Sequence, residues 1–365
     1  SKVEHVPLGI VGNISPWNFP IQLALSPMAD IFGAGNRIML KSSELSPETS
    51  KLMASTIDSS FDKTELAVVL GGPEVSAEFS KLKFDHLLFT GSTNIARLIA
   101  QSAAPNLVPM TLELGGKNPV IISSSANIQL AADKVMWAKT LNGGQICLCP
   151  DTVFVPDHLL EAFISACKVS VNKMFPDLSS DPEYTHIITQ RHADRLRDIL
   201  HDAKEKGARI VPMHESNCSG RRVLPALIIN ANNQCRVTEE EIFGPLLSVL
   251  SYSKLQDVVD EINNNPRPLA LYYFGENKQE INKLTHETVS GGMVSNDMIA
   301  HILQDDLPFG GVGDSGTGSY HGYDGFKNFS HAKAIYSQSK LDPFKVVRPP
   351  YGKAINMAIS HLIKR

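Results

Sequence analysis

The stretch His86-Leu87-Leu88-Phe89-Thr90-Gly91-Ser92-Thr93 decides the fold of this chain. Residues 86–90 form a short apolar run of strand character. Gly91 breaks it, and residues 94–103 continue with helical spacing. The same order occurs upstream: residues 10–13 read as strand, 23–32 as helix ending at Gly33-Ala34-Gly35-Asn36, 37–41 as strand, 47–59 as helix and 66–70 as strand. Strands alternating with helices specify an α/β fold, a Rossmann-like parallel sheet with a binding crevice at the strands' carboxyl ends. Pro7-Leu8-Gly9-Ile10-Val11 reads as a core strand near the start of the chain.

The pattern resumes after Glu113. Residues 127–141 read as helix, 152–155 as strand, 158–174 as helix, and 192–206 as a long exposed helix charged on one face. Strands follow at 246–252 and 270–274, with residues 255–263 helical between them. A second α/β domain is therefore expected. The division is 1–113 for a cofactor domain, 114–317 for a catalytic domain, and 318–365 for a segment returning to the cofactor domain or an oligomer interface. Residues 354–363 are mildly amphipathic and are expected to pack on the surface; a membrane-facing role is the alternative.

Composition sets outer bounds. A chain of 365 residues, 42% hydrophobic and 20% charged, is long enough for two or three cores. A formal net charge of −4 offers no basic surface for nucleic acid. Five Cys do not suggest a disulfide scaffold, which makes a reducing, cytoplasmic setting the expectation. The apolar runs are too short for a membrane span, and the twelve His include no H-E-x-x-H pair, so no catalytic metal is expected.

Chemistry concentrates at two glycine-flanked turns, Glu113-Leu114-Gly115-Gly116-Lys117 and Asn142-Gly143-Gly144-Gln145-Ile146-Cys147. Glycines let other groups approach the backbone closely. An isolated Cys is ordinarily a packing residue, but here a thiol and a carboxylate are both presented from such turns. That is the equipment for covalent chemistry on a carbonyl, with Cys147 as nucleophile and Glu113 as base. Leu112 and Leu114 flank Glu113 and favour its partial burial over a solvated role.

From about Val6 to His331 the chain resembles the NAD(P)-dependent aldehyde dehydrogenases. Seven motifs carry the resemblance in order: Pro16-Trp17-Asn18-Phe19-Pro20, Lys41-Ser42-Ser43-Glu44, Phe89-Thr90-Gly91-Ser92-Thr93, the Glu113 and Cys147 turns, Glu241-Ile242-Phe243-Gly244-Pro245, and Pro308-Phe309-Gly310-Gly311. Gly318-Ser319-Tyr320-His321-Gly322 and Phe329-Ser330-His331 are similar to the class-three and coniferyl aldehyde dehydrogenase branch, as is Pro27, where many hydrolytic relatives carry Lys.

The resemblance implies aldehyde oxidation through a Cys147 thiohemiacetal and thioester, with the Asn18 amide and the Cys147 N–H facing the oxyanion and Glu113 activating the deacylating water. It implies NAD as cofactor, with NADP possible. The positions matching its cofactor residues are Ile14, Pro16, Trp17, Lys41, Glu44, Gly91, Ser92, Ile95, Leu114, Glu241 and Phe243. Lys41 and Glu44 would meet the adenosine ribose, Glu241 the nicotinamide ribose, and Phe243 the nicotinamide ring. A carboxylate at Glu44 disfavours a 2′-phosphate. Ala96 replaces a Gly common among relatives, and its methyl is expected to crowd the pyrophosphate turn.

Lys117 is expected to orient its loop. Cys149 is expected to pack, with a reversible Cys147–Cys149 disulfide as the alternative. The substrate would be a medium-chain aliphatic or aromatic aldehyde. The resemblance further implies a homo-dimer or tetramer, and an N-terminal segment preceding Ser1 whose loss would leave a sheet edge open and the chain marginally soluble. Two other functions stay open: a cofactor-independent thiol esterase using Cys147, and a catalytically silent relative.

Overall fold

A computed structural model describes residues 1–215, 218–342, 344, 345 and 348–363 of the chain. Its frame is two mainly parallel sheets. The first runs in spatial order Gly316–Thr317, Met110–Leu114, His86–Gly91, Ile10–Ile14, Arg37–Lys41 and Leu66–Val69. Only Gly316–Thr317 is antiparallel to its neighbour. From Ile10–Ile14 the chain steps one way to Leu66–Val69, then returns to place His86–Gly91 on the other side. Connections that diverge from adjacent strands leave a crevice beyond their carboxyl ends. The turns after Ile14 and Gly91 lie there.

The second sheet runs Gly292–Ser295, Ala270–Phe274, Pro119–Ile122, Thr152–Pro156, Leu246–Tyr252, Ala226–Ile229 and Arg209–Pro212, with only the last antiparallel. Val120, Ile121 and Ile122 are fully buried, as expected of a parallel strand covered on both faces. Glu113 stands at the carboxyl end of a strand in the first sheet. The Cys147 loop enters the amino end of Thr152–Pro156 in the second. The two chemical turns therefore meet where the output end of one sheet faces the input end of the other.

Most elements fall where sequence spacing places them; the differences have local causes. The expected strand over residues 7–11 is two strands in different sheets. Lys2–Pro7 pairs antiparallel with Ser330–Ile335, while Ile10–Ile14 joins the first sheet. The break is at Leu8 and Gly9, whose amides donate to Asn36 Oδ1 at 2.7 and 3.0 Å while Gly9 adopts φ +137°. A 3₁₀ turn, Asp157–Leu159, delays the following helix to Leu160–Met174. Helix Gln190–Glu205 is not exposed throughout: Ala193, Leu196, Ile199 and Ala203 form a buried stripe, and Thr189 caps it by accepting from the His192 amide.

Ala96 does not face the crevice. It is buried with Ile14, Phe89 and Leu114 beneath helix Thr93–Ala103, so its methyl fills core space and crowds nothing outside. Helix Lys353–Ile363 differs from its expectation too: Ile355 is half-buried, but Met357, Leu362 and Ile363 are 66%, 75% and 78% exposed, so much of its apolar surface is left uncovered.

Candidate active site

The Cys147 loop begins where helix Ile128–Thr140 ends. Asn142, Gly143 and Gly144 take positive φ in succession, a reversal that places Cys147 back across the crevice. Gly144 has a second constraint: a β-carbon there would sit 2.3 Å from the Gly244 carbonyl oxygen. The thiol loop and the Glu241–Pro245 loop thus touch backbone to backbone. Gln145 locks the reversal from within. Its amide donates to Asn142 O at 2.9 Å and His186 O at 3.2 Å, and its Oε1 accepts from Ile188 N at 2.8 Å.

Three ionisable groups converge. Burial pushes the Cys147 thiol up to about 12, and the Glu241 and Glu113 carboxylates add to the rise. Glu113 is itself buried, with neither carboxylate oxygen hydrogen-bonded, and desolvation raises it well above the usual carboxylate range. Glu241 is raised to about 7, chiefly by burial, although the Gly116 amide bonds to it and holds it down. Its carboxylate lies on Gly115, where a β-carbon would come within 2.2 Å of Oε1. Asn18 also reaches the thiol loop, its Nδ2 donating to Gln145 O at 3.0 Å while its own carbonyl accepts from Asn142 Nδ2 at 3.0 Å.

The remaining candidates line the switch-point crevice with unequal exposure. Lys41 is buried, donates to Ser42 O at 2.7 Å and faces the exposed Glu44 carboxylate at 3.9 Å. Gly91 ends its strand, and Ser92 sits at the N-cap of Thr93–Ala103 without a side-chain cap bond, which leaves first-turn amides for an anion. Ile95 is exposed on that helix. Pro16 and Trp17 are half-buried, whereas Ile14 and Leu114 are buried among core side chains. The Trp17 ring meets Phe243 edge-on at 5.7 Å, and Phe243 holds a left-handed φ of 46°.

Lys117, expected to orient its own loop, pairs with buried Asp151 and donates to Val237 O at 2.7 Å and Glu240 O at 3.2 Å, which orients the Glu241 loop as well. Sequence reading passed over other supports. His192 stands edge-on to Trp17 at 5.8 Å. Asp151 also accepts from Ile242 N at 2.8 Å, and Arg195 donates to Glu241 O at 3.2 Å. Asp151 lies immediately before a strand, the one sequence signal that could have singled it out. Cys149 is buried and every cysteine is free, so no Cys147–Cys149 disulfide is present. Among the described residues no three His, Cys, Asp or Glu side chains group to hold a metal.

A two-sheet α/β enzyme results, with a switch-point crevice opening onto a half-buried thiol and a buried carboxylate. The chain belongs to the aldehyde dehydrogenase family, whose model matches residues 1–335, and is an NAD(P)-dependent oxidoreductase of that family. It is 49% identical to the coniferyl aldehyde dehydrogenase of Pseudomonas sp. strain HR199, over all of this chain and 77% of that protein. Among solved structures it is similar to the substrate-bound state of Staphylococcus aureus AldH, with a TM-score of 0.91 and 33% identity over 99% of this chain and 78% of that one. A Mycobacterium tuberculosis aldehyde dehydrogenase complexed with NAD+ gives a TM-score of 0.84 and 26% identity, over 93% and 71% of the two chains.

Proposed function

We propose that the chain oxidises an aldehyde to its carboxylic acid with NAD(P)+ through a covalent intermediate on Cys147. The observation that carries this is the convergence of the half-buried Cys147 thiol with Glu113, a buried carboxylate whose two oxygens have no partner in the protein. A buried acceptor left unsatisfied is costly, and one beside a nucleophile suits a proton or a water. The Cys147 sulfur attacks the aldehyde carbon and its proton passes to a base as the C–S bond forms. One Asn18 N–H is engaged by Gln145 O, so the other serves the oxyanion with the Cys147 amide. Glu113 then removes a proton from the water that attacks the thioester, releasing acid and free thiol.

The switch-point residues fit a dinucleotide. Lys41 supplies a buried cation, and Ser92 opens a helix whose first amides no side chain caps. A bound dinucleotide would supply the hydride acceptor that the step from thiohemiacetal to thioester requires. Glu44 and Lys41 would hold the adenosine ribose, Glu241 the second ribose, and Trp17 and Phe243 would wall the ring end. Pro16, Gly91 and Ile95 flank that path. Ile14 and Leu114 contribute through their backbone, since their side chains are buried. Glu44 favours NAD. The proposed functional units are residues 1–113, 114–317 and 318–365, supported by the chain's passage from one sheet to the other after Leu114.

The Pseudomonas relative's name makes coniferyl aldehyde the first substrate to try. NADH formation should be followed with cinnamyl, benzylic and medium-chain aliphatic aldehydes in wild type, Cys147→Ala and Cys149→Ala. The expected outcome is NAD-dependent turnover, strongest with aryl propenals, abolished in Cys147→Ala and kept in Cys149→Ala. Hydrolysis of a test ester such as p-nitrophenyl acetate without NAD, with no NADH formed from any aldehyde, would favour a thiol esterase; NADH formation persisting in Cys147→Ala would remove the covalent route.

A further inference from the structure

Three successive carbonyls at the nucleophile are held by two side chains that lie outside the site described so far. Asn118 Nδ2 donates to Cys147 O at 2.6 Å and to Cys149 O at 3.0 Å. Tyr272 Oη donates to Leu148 O at 2.7 Å. Both side chains are fully buried. Asn118 is itself fixed, because its Oδ1 accepts from Ala270 N at 2.9 Å on the neighbouring strand. Tyr272 sits on that same strand, Ala270–Phe274, and its hydroxyl also accepts from the Ile299 amide. Burial holds the phenol well above its usual range, so it remains a donor. Ile299 adopts φ 64°, a conformation unfavourable for a β-branched residue, and this hydrogen bond is one of the contacts that keep it there.

Peptide units are rigid planes, so pulling a carbonyl one way turns the following amide the other way. The plane of the held Cys147 carbonyl carries the Leu148 amide; the plane of the held Leu148 carbonyl carries the Cys149 amide, which donates to Ile146 O at 2.9 Å and so fixes the plane that carries the Cys147 amide. The Cys147 and Leu148 amides then face the sulfur, and both hold the thiol down. They oppose the burial and the two carboxylates that raise it. The loop preceding Cys147 supplies no equivalent restraint on these planes, since Gln145 ties residues 142, 186 and 188 instead.

The geometry points to Asn118 and Tyr272 as positioning residues that clamp the Cys147–Cys149 peptide planes and aim two backbone N–H groups at the sulfur and at the oxyanion formed beside it. Neither side chain touches substrate; each acts through the backbone of the nucleophile. This inference rests on Cys147 being the nucleophile. It adds that thiol reactivity is set from an interior strand of the second sheet, and that the Ile299 turn is coupled to it through one hydroxyl.

The test uses Asn118→Asp, which keeps the acceptor for Ala270 N but loses both donors, and Tyr272→Phe, which loses only the hydroxyl. Each is compared with wild type by circular dichroism, by the pH profile of iodoacetamide labelling at Cys147 read by peptide mapping, and by the pre-steady-state NADH burst. Expected are a native spectrum, a labelling profile moved to higher pH, and a burst slowed about ten- to a hundredfold, the scale of a small misplacement of reacting groups. KM for NAD should stay unchanged, which a general loosening of the fold would not allow. If Asn118→Asp does not fold, Tyr272→Phe alone decides. A folded Tyr272→Phe with wild-type labelling profile and burst overturns the clamp. If Cys147 is unlabelled in wild type and Cys147→Ala keeps its turnover, the nucleophile assignment has failed instead.

Discussion

Glu241 rests its carboxylate against the α-carbon of Gly115, leaving no room for even a methyl group between the loop that follows Glu113 and the loop that carries Glu241. The Gly116 amide bonds to the same carboxylate. Gly115→Ala would therefore displace Glu241. The clash is with the end of a flexible side chain, so folding should survive with a small change in Tm. Since displacement of about 1 Å near reacting groups costs about 10²-fold, kcat/KM should fall on that scale. Steady-state kinetics and a thermal melt check both halves; an unchanged kcat/KM would show that Glu241 is not needed where it lies.

Glu113 is the proposed base for deacylation. In Glu113→Gln, hydrolysis of the thioester should slow by about 10²-fold or more. Acylation would outrun it by more than in wild type, and stopped-flow traces should show the NADH burst followed by a much slower steady state. Equal steady-state rates in wild type and Glu113→Gln would take Glu113 out of the reaction.

The same residue carries a stability cost with a definite sign. Burial raises its carboxyl above the ordinary value of 4.5. The folded protein therefore holds this proton more tightly than the unfolded chain. Wild type loses stability as pH rises from the unfolded value through the folded one, where an isolated charge must form in the interior. Glu113→Gln should thus melt above wild type at mildly alkaline pH, with the difference shrinking toward zero in acid. A difference independent of pH would contradict the assignment.

Lys117 and Asp151 form a largely buried pair that also fixes Val237, Glu240 and Ile242. Removing one partner of a buried pair strands the other, at a cost of about 3–5 kcal/mol. Asp151→Asn should lower unfolding stability on that scale in urea titrations. KM for the cofactor should rise with it, because the Glu241 loop loses its anchor.

The exposed apolar face of Lys353–Ile363 bears on assembly. Light scattering is expected to give a mass above that of one chain, and Leu362→Glu should reduce the self-association. Monomers in both proteins would leave the expected dimer or tetramer without this contact.

Strand and helix spacing exposed most of the fold because parallel strands buried on both faces form short, dense apolar runs. The seven ordered motifs singled out Cys147, Glu113 and the turns after Ile14 and Gly91, which the fold brings toward one crevice. Periodicity could not show where the chain changes sheets: Pro7 to Val11 looks continuous, and only the distant Asn36 carbonyl oxygen that captures two amides breaks it. Ala96 was misjudged because helical phase, not residue type, decides whether a methyl faces core or ligand. Asn118 and Tyr272 were illegible for a different reason. Their role depends on hydrogen bonds to carbonyls far along the chain, and backbone carbonyls leave no mark in a sequence.

The pairing of Lys2–Pro7 with Ser330–Ile335 gives the molecule a mechanical polarity. Lys2 lies opposite Ile335 and Pro7 opposite Ser330, so both chain directions leave the ribbon from the same end. A force applied through the two flanking segments would peel the ribbon open one hydrogen-bonded rung after another, instead of loading all rungs together in shear. Under tension the ribbon should separate first, while the two larger sheets and the thiol between them remain assembled.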